Sequence, residues 1–419
     1  MKRLLLAPLA ALLACGPTPV PPVQVMALVP NETGAYATVQ VELKTASNLS
    51  NLKGSVAELM GGNRVVVDAN DPLQSSLPSL TDEQRYEVIV KDKGADVRGN
   101  YIERAGVYWP GDFHTWNMVS AYYNFERSYE YFVGIYDGVE PTELQRMKVM
   151  YWANVRLNTA EPITDNALYL SFIKSFVIVP FQTQKLVPLA MNIGVIGHEV
   201  AHRSFNFRVL ADAGISPALT TWNGQAFNLL KSIDEGFADF HGFGVTCGEA
   251  AGCRPNYLAA SLSDQAIVDM RNVARTDACM DENTRNAFNN DSPDQWVRSS
   301  NMYKVGNLWA AAMYQAGNKV GNIGLMQKSL FLAYNDASST TPGLSQLVNS
   351  NINTQQAFTP EAVANTIVAH VSDPQLKKEL CNEFSTRLQL KCGAFPCPEM
   401  PACPATSARQ NFCPTLPQP

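Results

Sequence analysis

The spacing of apolar positions changes period near the middle of the chain. From Met26 to Gly106, short alternating runs such as AYATVQVEL and RYEVIVKD are broken by Gly, Asn and Asp, a pattern that predicts strands. From Trp109 onward, GDFHTWNMVSAYYNFERSYEYFVG carries apolar and aromatic residues at helical spacing behind Asp112, a capping residue. NALYLSFIKSFVIVP, starting at Asn166, predicts one or two buried strands. Helices are expected over about 188–205, 225–243 and 303–315. Further on, Thr359-Pro360-Glu361 and Asp373-Pro374 are helix start signals. No internal repeat is visible. The fold class is therefore α+β, with a strand-bearing N-terminal half and a mainly helical C-terminal half.

A chain of 419 residues is long enough for two or three domains. Its net charge of −6 comes with no basic run, which gives nucleic acid no reason to be a partner. The first residues, MKRLLLAPLAALLAC, place two basic residues before an apolar stretch too short to span a bilayer. Leu12-Leu13-Ala14-Cys15 resembles a bacterial lipobox, which implies cleavage before Cys15 and lipidation of its thiol. The Pro-rich GPTPVPPV that follows suits an extended tether. Gly16 stands where inner-membrane retention would call for Asp, so the expected address is the outer membrane, reached through a lipid anchor at Cys15. No later segment is apolar for long enough to cross a membrane. The expected organisation is a signal peptide over 1–14, a tether over 15–25, and a strand-rich domain or pro-segment over 26–105. A main domain over 106–380 and a Cys/Pro-rich tail over 381–419 complete it.

Eight cysteines remain after Cys15: Cys247, Cys253, Cys279, Cys381, Cys392, Cys397, Cys403 and Cys413. An even number in an exported chain points to disulfides, with a connectivity that spacing alone does not settle. KCGAFPCPEMPAC has the look of a zinc knuckle, but no His lies near it. A disulfide-stapled tail is the expectation there.

The stretch GVIGHEVAH, residues 194–202, contains HExxH. Residues four apart on a helix share a face, so His198 and His202 present two imidazoles side by side. Glu199 is one step round, placed to reach water at a bound metal without ligating it. That geometry suits Zn²⁺, which in catalytic sites takes three protein ligands and keeps a fourth position open. The metzincin pattern fails, because positions 205 and 208 are Phe205 and Arg208. Thirty-three residues after His202 comes IDEGFADFHG, with Glu235 and Asp239 four apart. Glu235 is the candidate third ligand, and Asp239 the carboxylate that orients a ligating imidazole. His241 lies off that face and reads as structural, and Asp234 as a surface carboxylate.

HEVAH followed by DEGFADF resembles the gluzincin metallopeptidases, especially the thermolysin-like and fungalysin-like families. The resemblance spans roughly residues 112–314. It implies a thermolysin-like zincin fold with zinc on His198, His202 and Glu235, Glu199 as general base, and Asp239 behind a zinc histidine. Asn166-Ala167 resembles the start of the family's substrate-binding edge strand, which implies a protein or peptide substrate paired as an added strand. EGFA is also similar to a string of the gluzincin aminopeptidases, but LAMNIG lacks the Glu of their amino-terminus-binding strand. An endopeptidase is therefore favoured over an aminopeptidase.

The family pattern is incomplete in one respect. Thermolysin-like enzymes carry a Tyr between the second His and the Glu ligand, whereas residues 203–234 contain neither Tyr nor His. In SSNMYKVGNLWAAAMY, Tyr303 is the candidate oxyanion donor, a phenol being able to donate that hydrogen bond. Tyr314, His370 and Arg208 are the alternatives. The missing Tyr keeps open a second reading, a noncatalytic zinc-containing binding lipoprotein. DENTRNAFNNDSPD, residues 281–294, is rich in oxygen donors without EF-hand spacing. It is a solvated loop or, failing that, a Ca²⁺ site.

Overall fold

The computed structural model describes residues 22–31, 34–68, 70–74, 76–182, 187–249, 252–335 and 340–390. Cys15 with its lipobox, most of the tether, and the tail cysteines Cys392, Cys397, Cys403 and Cys413 lie outside the described residues.

The N-terminal half is built on three sheets. The first has the order β2 (Tyr36–Leu43), β1 (Val23–Pro30), β10 (Val107–Pro110), β9 (Tyr101–Arg104). The second runs β13 (Ala167–Leu170), β14 (Ser175–Ile178), β11 (Met147–Tyr151), β5 (Ala57–Gly61), β4 (Lys53–Gly54), β3 (Ala46–Asn48), with β8 (Ala95–Asp96) also on β5. The third is β12 (Asn154–Leu157), β6 (Arg64–Val67), β7 (Val90–Asp92). Strands from before and after residue 106 share these sheets: β1 pairs parallel with β10, and β5 parallel with β11. Of the parallel core strands, β14 is buried along its whole length because both its faces are covered, whereas β5 and β11 leave Glu58 half-buried and Lys148 exposed. Val149, Phe176 and Ile178 join the main core, while Met150 and Val177 point into a second, smaller one.

The smaller core is closed by α1 (Asp82–Ile89), where the alternating RYEVIVKD predicts strand throughout. Thr81 and Gln84 form a reciprocal capping box, and Asp82 and Glu83 favour the positive end of the helix. Those local signals win, and only Val90–Asp92 is left as strand.

The main core lies between the second sheet and the helices. α2 (Phe113–Ile135) starts at Asp112, whose carboxylate accepts the Thr115 N–H at 2.8 Å, and sets Phe125 edge-on against Phe176. α3 (Ile193–Val209) follows a single 3-10 turn over Leu189–Met191, so it begins later than the spacing suggests. Its start is fixed by buried Asn192, which accepts the Gly194 N–H and donates to the Tyr257 carbonyl and the Ser261 hydroxyl.

The rest is helical: α4 (Pro217–Thr221), α5 (Gly224–Thr246), α6 (Gln265–Met270), α7 (Glu282–Asn290), α8 (Pro293–Arg298), α9 (Asn301–Val320), α10 (Ile323–Tyr334), α11 (Leu344–Asn351), α12 (Pro360–Ala369) and α13 (Pro374–Leu388). Thr359 and Asp373 cap the last two. The expected loop over 281–294 is instead α7 and α8, because Asp281 and Ser292 are efficient caps. Asp281 accepts the Thr284 N–H at 2.7 Å and pairs with Lys304, and Asp294 pairs with Arg298. Those acids are spent on caps and ion pairs rather than gathered around a Ca²⁺.

α5 is clamped from two sides at glycines. A Cβ on Gly236 would lie 2.2 Å from the Gly306 carbonyl oxygen of α9, and one on Gly242 would lie 2.7 Å from the Gly194 carbonyl oxygen of α3. Only glycine permits this approach, and it brings the acidic face of α5 against the histidines of α3. Cys247 and Cys253 form a disulfide just beyond α5, and Cys279 and Cys381 are disulfide-bonded too. Among the described residues, no helix is long and apolar enough to cross a membrane.

Candidate metal centre

His198 and His202 face the same side of α3, and Glu235 meets them from α5. Glu235 Oε2 stands 3.5 Å from Nε2 of each histidine, and the two Nε2 atoms are 3.0 Å apart. Among the described residues this is the one group of three or more His, Cys, Asp and Glu side chains able to hold a metal ion.

The outer ring nitrogens are fixed by carboxylates of α5. His198 Nδ1 is 2.9 Å from Asp239 Oδ1, and His202 Nδ1 is 2.7 Å from Asp234 Oδ1. Asp234 is therefore an orienting group rather than the surface carboxylate expected: it sits one residue before Glu235 and under His202. Lys231 holds its other oxygen at 3.1 Å. Asp239 is fully buried and accepts three more hydrogen bonds, from Tyr257 Oη at 2.8 Å and from Arg271 at 2.6 and 3.1 Å. Burial opposes ionisation of Asp239, but Arg271 and His198 outweigh it and hold the carboxyl at about 2.

With each Nδ1 beside a carboxylate, the two Nε2 atoms face one another, an arrangement that a cation between them would satisfy. Charge says the same. Glu199, Asp234, Glu235 and Asp239 set four carboxylates against two cations, Lys231 and Arg271, leaving two negative charges when the histidines are neutral. Without a metal the histidines respond to that excess. Burial works against a charged ring in His202, but Asp234 and Glu235 raise it well above its ordinary value. The donor set fits a divalent cation of zinc type: two imidazole nitrogens, one carboxylate and orienting acids behind both rings.

Glu199 is buried beside the cluster, and burial pushes its carboxyl up against the pull of His198 and His202. Its Oε2 accepts the Tyr169 N–H of β13 at 2.6 Å. β13 is the terminal strand of its sheet, with Ala167 at its start and Asn166 turning in to accept the Ala167 N–H. Tyr303 stands at the start of α9, with the Arg271 guanidinium 4.5 Å above its ring. The Glu235 charge, then burial, hold its phenol strongly in the protonated, donating form.

The other candidates are committed elsewhere. Tyr314 packs on Phe243, His370 Nδ1 bonds the Thr366 carbonyl, and Arg208 pairs with Glu143. His241 is buried against Tyr131 and Phe132, and burial drives its pKa down to about 3. Arg271 and Tyr257 are site residues that the sequence reading did not single out. Both follow α5 in short or irregular segments, and neither has a spacing signal.

No family model matches the chain, and no curated protein does. Among solved structures, the chain is similar to the precursor of protealysin, a metalloproteinase from Serratia proteamaculans. The identity is 13% and the TM-score 0.38, over 77% of this chain and 86% of that one. At that distance the likeness leaves the function to be read from the site itself.

Proposed function

We propose that the chain is a zinc-dependent endopeptidase of the gluzincin type. It would hydrolyse proteins or peptides outside the cytoplasm while tethered to the outer membrane through lipid on Cys15. The observation that carries the chemistry is the convergence of His198, His202 and Glu235 with Glu199 on the adjacent helix position and a terminal sheet strand beside it.

A zinc ion held by those three side chains supplies Lewis acidity toward the scissile carbonyl and toward water. The chain's own groups do the rest. The outer edge of β13 pairs with the extended substrate backbone. Glu199, steadied through Oε2 by the Tyr169 amide, takes the attacking water's proton and passes it to the leaving amine. A carboxyl raised by burial is the better matched to that double role. The Tyr303 hydroxyl, kept protonated, donates to the oxyanion as the carbonyl becomes tetrahedral. Arg271 and Tyr257 hold Asp239, and Asp239 holds the His198 ring in its ligating tautomer.

The test is zinc content and casein cleavage measured side by side for the wild type and Glu199→Gln. Zinc in both with cleavage only by the wild type is expected, since Gln keeps the shape and removes the base. Zinc in both and cleavage by neither would favour a binding lipoprotein. No zinc in either would sink the metal site.

A further inference from the structure

Glu199 and Arg203 are four apart on α3, so both face the edge strand, and both grip the same residue. Glu199 accepts the Tyr169 amide at 2.6 Å, while Arg203 Nη1 donates to the Tyr169 hydroxyl at 3.2 Å with its guanidinium 6.0 Å from the ring centre. Arg203 is itself ion-paired to Asp212, in the turn that follows α3. The other Asp212 oxygen lies 2.7 Å from Lys174 Nζ, and the same ammonium reaches Asp82 of α1 at 2.6 Å. Lys174 is the left-handed residue at the tip of the β13–β14 hairpin, φ 48°. A continuous chain of charges thus runs from α1 through the hairpin tip to α3, and closes on the residue that touches the general base.

The hairpin needs such a fastening. β13 has four residues and, among the described residues, pairs with β14 alone, so its other edge is the one a substrate strand would take. Its distance from Glu199 is set by Tyr169, and the tip is held by Lys174.

Resting on the peptidase reading above, we propose that Lys174 and Asp82 are positioning residues. They clip the substrate-pairing edge at the distance Glu199 requires, so that the segment 26–105 takes part in catalysis through Asp82. Neither residue touches the metal cluster or the reacting atoms, and the occupant of the edge is an extended polypeptide backbone.

The full-length protein is compared as wild type, Lys174→Met, Asp82→Asn and Lys174→Arg. Lys174→Met and Asp82→Asn should each lower kcat on a short blocked peptide by about tenfold, with KM little changed, because displacing a catalytic group by a fraction of an ångström acts on the barrier. Zinc content should stay at the wild-type level, and Lys174→Arg should recover most of the rate. Raising salt from about 0.05 M to about 1 M should slow the wild type more than Lys174→Met, since the pairs are partly exposed and screened. Wild-type kcat in both charge-removing variants would overturn the clip. A loss that Lys174→Arg does not recover would also overturn it. If the wild type cleaves nothing, the peptidase reading fails, and the clip is judged by amide hydrogen exchange over residues 167–178. Faster exchange there in Lys174→Met supports it, and unchanged exchange overturns it.

Discussion

The two carboxylates behind the histidines make the most discriminating pair of substitutions. Asp239→Asn and Asp234→Asn both remove a charge from an imidazole's outer nitrogen, and loss of such an orienting group costs metal affinity about 10–100-fold. Their effects on the metal-free protein should differ sharply. Asp239 is 1% exposed and is the bidentate partner of Arg271, itself only 12% exposed. An amide in its place leaves that guanidinium buried without a counter-charge, a defect worth about 3–5 kcal/mol. Asp234 and Lys231 keep 16% and 23% of their side chains in water. Lys231 can turn outward when its partner is neutralised, so the loss should be smaller than in Asp239→Asn.

Zinc affinity is read by competition with a chromophoric chelator, and stability by urea unfolding with excess chelator present. Weakened zinc binding in both variants, with a large stability loss confined to Asp239→Asn, is expected. Equal apo stabilities would refute the description of Arg271 as a buried cation held by Asp239. Wild-type zinc affinity in either variant would refute the orienting role of that carboxylate.

Three further outcomes follow from the geometry. Tyr303→Phe should retain zinc and substrate affinity while lowering kcat about a hundredfold, as the loss of one oxyanion donor does; an unchanged kcat would remove Tyr303 from the reaction. His241 is neutral in the folded protein, with its pKa at about 3 against about 6.5 unfolded. The unfolded chain therefore binds the proton first, and stability present above pH 6.5 is lost as pH falls toward 3, by about 2–3 kcal/mol at pH 4.5. His241→Leu should flatten that acid limb of the urea midpoint, whereas an unaltered slope would place the histidine in water. Gly236→Ala should lower both the unfolding midpoint and zinc affinity by driving α5 off α9, while Gly134→Ala, with open space around its Cβ position, should not destabilise. A Gly236→Ala protein with wild-type zinc affinity would show that the seam does not set the site.

What was legible in the sequence was local. Asp112, Thr359-Pro360 and Asp373-Pro374 mark helix starts that need no knowledge of the rest of the chain. The four-residue spacings that bring His198 and His202 onto one face, and put Asp239 one turn beyond Glu235, are of the same kind. Non-local relations left no comparable trace. The parallel pairing of Ala57–Gly61 with Met147–Tyr151 joins residues ninety apart, and no periodicity announces it. Arg271 reaches Asp239 from just beyond α6, where composition carries no message. α1 is a different case. RYEVIVKD alternates well enough for a strand, and the Thr81–Gln84 capping box that overrides the pattern lies entirely upstream of it.

Placing three acids on one helix face also explains why α5 is built as it is. Asp234, Glu235 and Asp239 repel one another, and a helix carrying them into a buried site would be expected to slide or fray until the charges reached water. α5 has no such freedom. Its glycines lock it against α3 on one side and α9 on the other, and Phe237, Phe240 and Phe243 are fully buried around it. The excess negative charge is therefore imposed by the helix packing. A divalent cation then removes an unfavourable interaction that already exists, and part of its affinity comes from that relief. The same rigidity keeps the two Nε2 atoms and Glu235 Oε2 within reach of one ion, which a looser helix pair would not do.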